Sequence, residues 1–116
     1  MNGKGYVTVE IAVIGNKVVC RPERARCYWK TGPDNVRWVV PDPPPEVASV
    51  AIEFKNESPF QRICSEDSTV SSPVKDKVTA GNREQRGIFP YFVRAFDAAG
   101  RLVAEVDPDV ENDPGP

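Results

Sequence analysis

A chain of 116 residues with 40% hydrophobic and 28% charged side chains has the make-up of one globular core, too small for two and too apolar for disorder. Its formal charge of -2 provides no general attraction to nucleic acid or to an anionic membrane. Histidine is absent, which removes Ser-His-Asp and Cys-His nucleophilic machinery, imidazole acid–base catalysis and the His-containing zinc and copper sites.

Met1-Asn2-Gly3-Lys4-Gly5 has no apolar h-region and no small-residue cleavage site, which predicts a cytoplasmic protein. From Tyr6 to Val13, Val7, Val9, Ile11 and Val13 alternate with Thr8 and Glu10, the period of a half-buried strand. Gly15-Asn16 marks a turn, and Lys17 to Arg21 reads as a second strand ended by Pro22, so the pair predicts a hairpin or a sheet-crossing corner. Ala25 to Lys30 is a short strand or edge segment, Gly32-Pro33-Asp34-Asn35 a turn, and Val36 to Val40 a strand with Trp38 as central core aromatic. Prolines 41, 43, 44 and 45 have no N–H to give a ladder, so a stiff exposed connection is expected there. Val47 to Lys55 is the next strand, with Val50, Ile52 and Phe54 in step, and Ser58-Pro59-Phe60 turns so that Phe60 caps one end. The serines and acids between Gln61 and Pro73 predict loop or irregular edge structure. Val74 to Ala80 is a weaker strand, and Ile88 to Phe96 an aromatic-rich one. The last turns at Ala98-Ala99-Gly100 into Arg101 to Val106, with Val93 and Leu102 as core candidates of this hairpin.

These runs, without a convincing helical period, predict an all-β fold: an antiparallel two-sheet Greek-key sandwich of about seven to eight strands, immunoglobulin-like or cupredoxin-like. One domain spans 1–116, with 107–116 expected as a Pro-rich acidic C-terminal tail. No apolar run nears the ~20 residues of a spanning helix, so no membrane insertion is expected. Cys20, Cys27 and Cys64 lack C-x-x-C spacing, which favours reduced, partly buried thiols; a Cys20–Cys27 bridge requires facing strands.

Tyr91-Phe92-Val93-Arg94-Ala95, the turn from Asp97 to Gly100, and the ending Asp107-Pro108-Asp109-Val110-Glu111-Asn112-Asp113-Pro114 together resemble the DP-EP family of small bacterial proteins. The resemblance covers most of the chain loosely and the C-terminal segment specifically, with Asp113-Pro114 where the family's name implies Glu-Pro. It implies a sandwich fold of the cupredoxin-like or immunoglobulin-like kind and brings no assigned activity. A blue-copper site would need a His2Cys set, usually with an axial Met; here the only Met is Met1 and no His exists, so no cofactor is expected.

Two charged stretches are candidates for binding. Between Lys17 and Arg37, the cations Arg24, Arg26, Lys30 and Arg37 are interleaved with Trp29, the composition of stacking-and-phosphate contacts or of protein hot spots; a solvated surface with Trp29 half buried is the plainer expectation. A small-ligand or anion site would draw on Arg24, Arg26, Trp29, Lys30 and Trp38. The ending carries Glu105, Asp107, Asp109, Glu111 and Asp113. Asp107, Asp109 and Asp113 form a weak cation candidate without the EF-hand pattern; a solvated acidic tail stiffened by Pro108, Pro114 and Pro116 is the plainer expectation, open to electrostatic pairing with the basic segment of the same or a neighbouring subunit. Glu66 beside Asp67, and Cys64 beside Ser65, are neighbours that a strand would point to opposite faces, so no catalytic pair is expected. With no nucleotide or hydrolase motif, the expectation is a non-enzymatic interaction module binding a protein partner or itself, with homodimerisation through a sheet edge favoured and nucleic acid unlikely.

Overall fold

The strict alternation of Tyr6–Ile14 builds the longest strand of the first layer, β1, whose Val9, Ile11 and Val13 are buried while Thr8, Glu10 and Ala12 face out. In the computed structural model, which describes residues 4–65 and 76–116, a turn at Gly15-Asn16 returns the chain as β2 (Lys17–Arg21), antiparallel to β1. The expected hairpin is therefore formed. After Pro22 and Glu23 the chain crosses to the second layer as β3 (Arg24–Tyr28), then returns to the first as β4 (Asn35–Val39), parallel to β1. β5 (Ser49–Phe54) lies in the second layer, and β6 (Phe60–Ser65) and β7 (Lys77–Asn82) complete the first, whose order is β2-β1-β4-β7-β6.

The second layer is organised by β8 (Gly87–Phe96), the longest strand of the fold. One of its edges pairs with β5. The other carries β9 (Leu102–Val106) against Val93–Phe96 and β10 (Asp109–Asp113) against Gly87–Pro90. Both follow one register, and between them the Tyr91 N–H donates to the Pro108 carbonyl (3.0 Å). β9 and β10 are thus one long return strand, interrupted where Pro108 has no N–H to give. β3 closes this layer by pairing in parallel with β10, giving β3-β10-β8-β5 with β9 beside β8.

Among the described residues the protein is all-β, with ten strands in two mixed sheets and no helix, and hence no helix long and apolar enough to cross a membrane. The strictly antiparallel arrangement expected is corrected by the parallel pairs β1–β4 and β3–β10. The two strands beyond the expected eight are β6 and β10. Gln61 to Ser65, expected as loop or irregular edge structure, is a regular edge strand paired with β7, because Phe60 (1% exposed) and the partly buried Ile63 anchor it to the core. The expected acidic tail holds an interior strand: Val110 and Asn112 are both 0% exposed, between β3 and β8.

Trp38 is the core aromatic, as its position predicts. Its ring meets Tyr91 edge-on (centroids 5.5 Å), and its indole N–H donates to the Tyr91 hydroxyl (3.0 Å). Phe60 packs edge-on against Phe54, which also meets Tyr91. Val93 is fully buried, but Leu102 is 51% exposed. A register shift at Ala95/Phe96 places Leu102 opposite Phe96 rather than in step with the buried Ala104, so the bulge turns the side chain outward.

Candidate functional site

Strand alternation on β3 directs Ala25 and Cys27 inward and Arg24 and Arg26 outward. The parallel register with β10 sets Arg24 beside Asp109 and Arg26 beside Glu111. Arg24 binds the Asp109 carboxylate with two N–H groups (2.8 and 3.1 Å), and Arg26 lies 3.4 Å from Glu111. The acidic ending and the basic segment of one chain therefore neutralise each other. As exposed pairs each is worth about 0–1 kcal/mol, and their effect is on charge more than on stability.

Trp29 and Lys30 belong to the turn after β3, which is tied to both ends of the described chain. The Trp29 N–H donates to the Asp113 carbonyl (3.1 Å) and the Lys30 N–H to the Pro114 carbonyl (3.2 Å). The Lys4 ammonium donates to the carbonyls of Trp29 (2.9 Å) and Lys30 (2.8 Å). Gly115, at φ +99°, lies so close that a Cβ there would meet Thr31 Oγ1 at 2.6 Å. Trp29 is half-buried, as the solvated-surface expectation has it, and Lys30 is exposed. Arg37 is on β4 in the other layer, with Asp76 at 3.1 Å, and Trp38 is in the core. The five residues Arg24, Arg26, Trp29, Lys30 and Arg37 are divided between two sheets and do not form one concave site.

The acidic residues are also dispersed. Asp107 accepts from the Lys55 ammonium (2.8 Å), which lowers its pKa, first through that hydrogen bond and then through the lysine charge. Asp109 is held by Arg24, and Asp113 accepts from the Gly115 N–H (2.8 Å). Asp109 and Asp113 are four residues apart on one strand, about 13 Å, too far to share an ion. Among the described residues no three His, Cys, Asp or Glu side chains gather as metal ligands. Glu66 and Asp67 lie outside the described residues.

The outer face of the second sheet continues this pattern. Arg94 meets Glu105 (2.8 Å) and Glu53 (3.0 Å), and both Arg94 and Lys55 sit over the Phe92 ring, at 4.1 and 4.7 Å from its centroid. Each of these cations meets a carboxylate, so the face is a lattice of compensated charge.

The first sheet carries a polar chain that residue types alone do not disclose. The Thr79 hydroxyl accepts from the Val36 N–H and donates to the Asn35 amide oxygen (both 2.9 Å). The Asn35 amide donates to Asp34 (3.1 Å). Asn82 of β7 and Asn112 of β10 exchange amide hydrogen bonds (2.9 and 3.0 Å), and Asn112 also donates to the Gln85 carbonyl (3.0 Å). Gly81, at φ +73°, breaks the alternation of β7 just before Asn82. This reciprocal pair is a second polar link between the two sheets, beside the Trp38–Tyr91 bond. Its groups bond one another, which marks it as structural.

Cys20 and Cys27 are buried free thiols, and Cys64 is exposed. Burial pushes both interior thiols up to about 12, with the Glu23 carboxylate adding for Cys20 and that of Asp34 for Cys27. They are thus protonated at neutral pH and poor nucleophiles.

The remaining feature is a sheet edge. β5 pairs with β8 on one side, and among the described residues nothing pairs with the other. The Lys55 N–H donates to Pro90 across that ladder (3.0 Å). The two-residue repeat of antiparallel pairing then turns the N–H and C=O of Ala51 and Glu53 toward β8, and those of Val50, Ile52 and Phe54 toward the unpaired side. A groove of about 410 Å³ runs along this strand, bounded across by Ile63, Cys64 and Lys77 of the other layer. No family model, curated protein or solved structure matches the chain.

Proposed function

We propose that this chain is a non-enzymatic self-association module, in which a second copy adds its β5 antiparallel to the unpaired edge of β5. The observation that carries the reading is the contrast between edges. β3 and β6 carry outward cations, Arg24 and Arg26 on one and Arg62 on the other, and β2 runs directly into β3, with β2 packed against β9. Charged side chains of this kind blunt an edge against pairing. β5, Ser-Val-Ala-Ile-Glu-Phe, is rich in β-formers and carries one charge, Glu53, where β3 carries two, and on both edges these charges are paired within the chain. Strand addition at such an edge draws affinity from main-chain hydrogen bonds. The absence of histidine and the protonated buried thiols support a non-catalytic role.

We read the two-layer fold as a variant of the immunoglobulin-like or cupredoxin-like sandwich, and the C-terminal likeness to the DP-EP family as kinship. A reducing, cytoplasmic setting suits the free thiols. Binding of an anionic ligand at the Arg/Trp segment is the weaker reading, since Arg24 and Arg26 already hold carboxylates.

Sedimentation velocity over a range of concentrations tests the proposal. The expected result is a reversible dimer for the wild type and a monomer for Ala51→Glu, whose new carboxylate lies on the solvent side of the edge next to Arg94 and faces carboxylate across the interface. A wild type that stays monomeric, or an Ala51→Glu variant that dimerises equally well, overturns it.

A further inference from the structure

The β5 edge also determines how two copies would align, an inference that rests on the self-association reading above. Only Val50, Ile52 and Phe54 offer N–H and C=O groups outward, by the argument from the Lys55–Pro90 bond. Two antiparallel copies must therefore set these residues opposite one another. Registers that place one of them opposite Ala51 or Glu53 leave main-chain groups unpaired.

Three alignments meet that condition with substantial overlap. Centring the two-fold on Ala51 brings Val50 opposite Ile52 of the second copy but leaves Phe54 beyond the end of the strand. Centring it on Glu53 sets the two carboxylates directly opposite, which is repulsive. Centring it on Ile52 pairs Ile52 with itself and Val50 with Phe54, and so uses every outward main-chain group of the strand.

Side chains on both faces favour the third alignment. On the core side it extends the apolar row of Val50, Ile52 and Phe54 into the second copy. On the solvent side it sets Glu53 of the second copy opposite Ala51. Ala51 is the cross-strand neighbour of Arg94, so the small alanine leaves room for that carboxylate to approach the guanidinium. Arg94 already holds Glu53 and Glu105 of its own chain and would gain a third carboxylate. Its Nε and Nη1 are taken by those two residues, so the contact adds a hydrogen bond to the guanidinium rather than a balance of charge, and what selects a second copy is the main-chain self-match, the same three outward residues pairing among themselves about the axis. We infer that the protein forms a two-fold dimer with Ile52 on the axis and Ala51 opposite Glu53, joining the second layers of both copies into one continuous sheet.

Disulfide trapping in a Cys64→Ser background tests the alignment. Opposed Ala51 and Glu53 would form a pair without mutual main-chain bonds, with Cα atoms about 4.5 Å apart, within reach of a disulfide. With a mild chemical oxidant, Ala51→Cys chains mixed with Glu53→Cys chains are expected to cross-link as the mixed dimer at least tenfold more than either variant alone. Efficient self-linking of Ala51→Cys, or of Glu53→Cys, would overturn the alignment while leaving a β5-mediated dimer intact. A monomeric wild type in sedimentation would overturn the alignment together with the reading beneath it.

Discussion

Replacing Asn112 by alanine is the sharpest probe of how the last strand is held. The side chain is fully buried and makes three hydrogen bonds, two with Asn82 and one with the Gln85 carbonyl. Each buried bond contributes about 1 kcal/mol net, and the vacated volume adds roughly 1 kcal/mol more at about 24 cal/mol per Å³. Asn82 keeps the Asp34 carbonyl and the Glu84 N–H as partners, so it is not left bare. The expected loss is therefore about 3–4 kcal/mol, a large fraction of a typical total of about 5–15 kcal/mol. At roughly 4 °C per kcal/mol for a domain of this size, Tm should fall by about 12–16 °C. Urea unfolding followed by the fluorescence of the buried Trp38 measures it. Glu111→Ala, one residue away on the exposed face, is the control and should stay within about 1 kcal/mol. If Asn112→Ala were as mild as Glu111→Ala, the inter-sheet amide pair would not be holding β10, and the reasoning would fail.

Three further outcomes follow from the core and its surface. Stability should be fully present below pH 9 and be lost as pH climbs toward 12, because the fold keeps Cys20 and Cys27 protonated up to about 12 against an ordinary value of 9.0. At about 1.4 kcal/mol per pKa unit each thiol accounts for up to roughly 4 kcal/mol, and Cys27→Ala should flatten the alkaline limb of a stability–pH curve. Tyr91→Phe removes the acceptor of the buried Trp38 N–H and should cost about 1–3 kcal/mol, read from chemical denaturation. Leu102→Thr should change stability by less than about 0.5 kcal/mol, since the bulge has already turned that side chain to water; a loss of several kcal/mol would place Leu102 in the core after all.

What was legible in the sequence was local. Period-2 alternation disclosed β1 and β5, a preceding turn and an aromatic run disclosed β4 and β8, and a tryptophan amid valines disclosed the centre of the core. β10 escaped because only Val110 and Asn112 face inward, one of them polar, between prolines 108 and 114 and amid carboxylates. Its burial is decided by β3 and β8, and Arg24, which pairs with Asp109, is 85 residues away. Leu102 was misplaced for a related reason: one bulged residue inverts every facing that alternation assigns before it. The basic segment was divided by topology. The plainer expectation there was a solvated surface, and Arg24 and Arg26 do face out on β3, but only the crossing from β3 back to β4 shows that Arg37 belongs to the other sheet. That the acidic ending could pair with the basic segment was legible from charge, but the solvated tail expected there is a strand between β3 and β8, and the register that joins Arg24 to Asp109 comes from the structure.

Amide hydrogen exchange along β5, read residue by residue at low and high protein concentration, tests the self-association claim most directly. Ala51 and Glu53, bonded to β8, should be protected at both concentrations, whereas Val50, Ile52 and Phe54 should exchange quickly when dilute and become protected as the protein is concentrated. Protection of those three amides that does not depend on concentration would contradict the account.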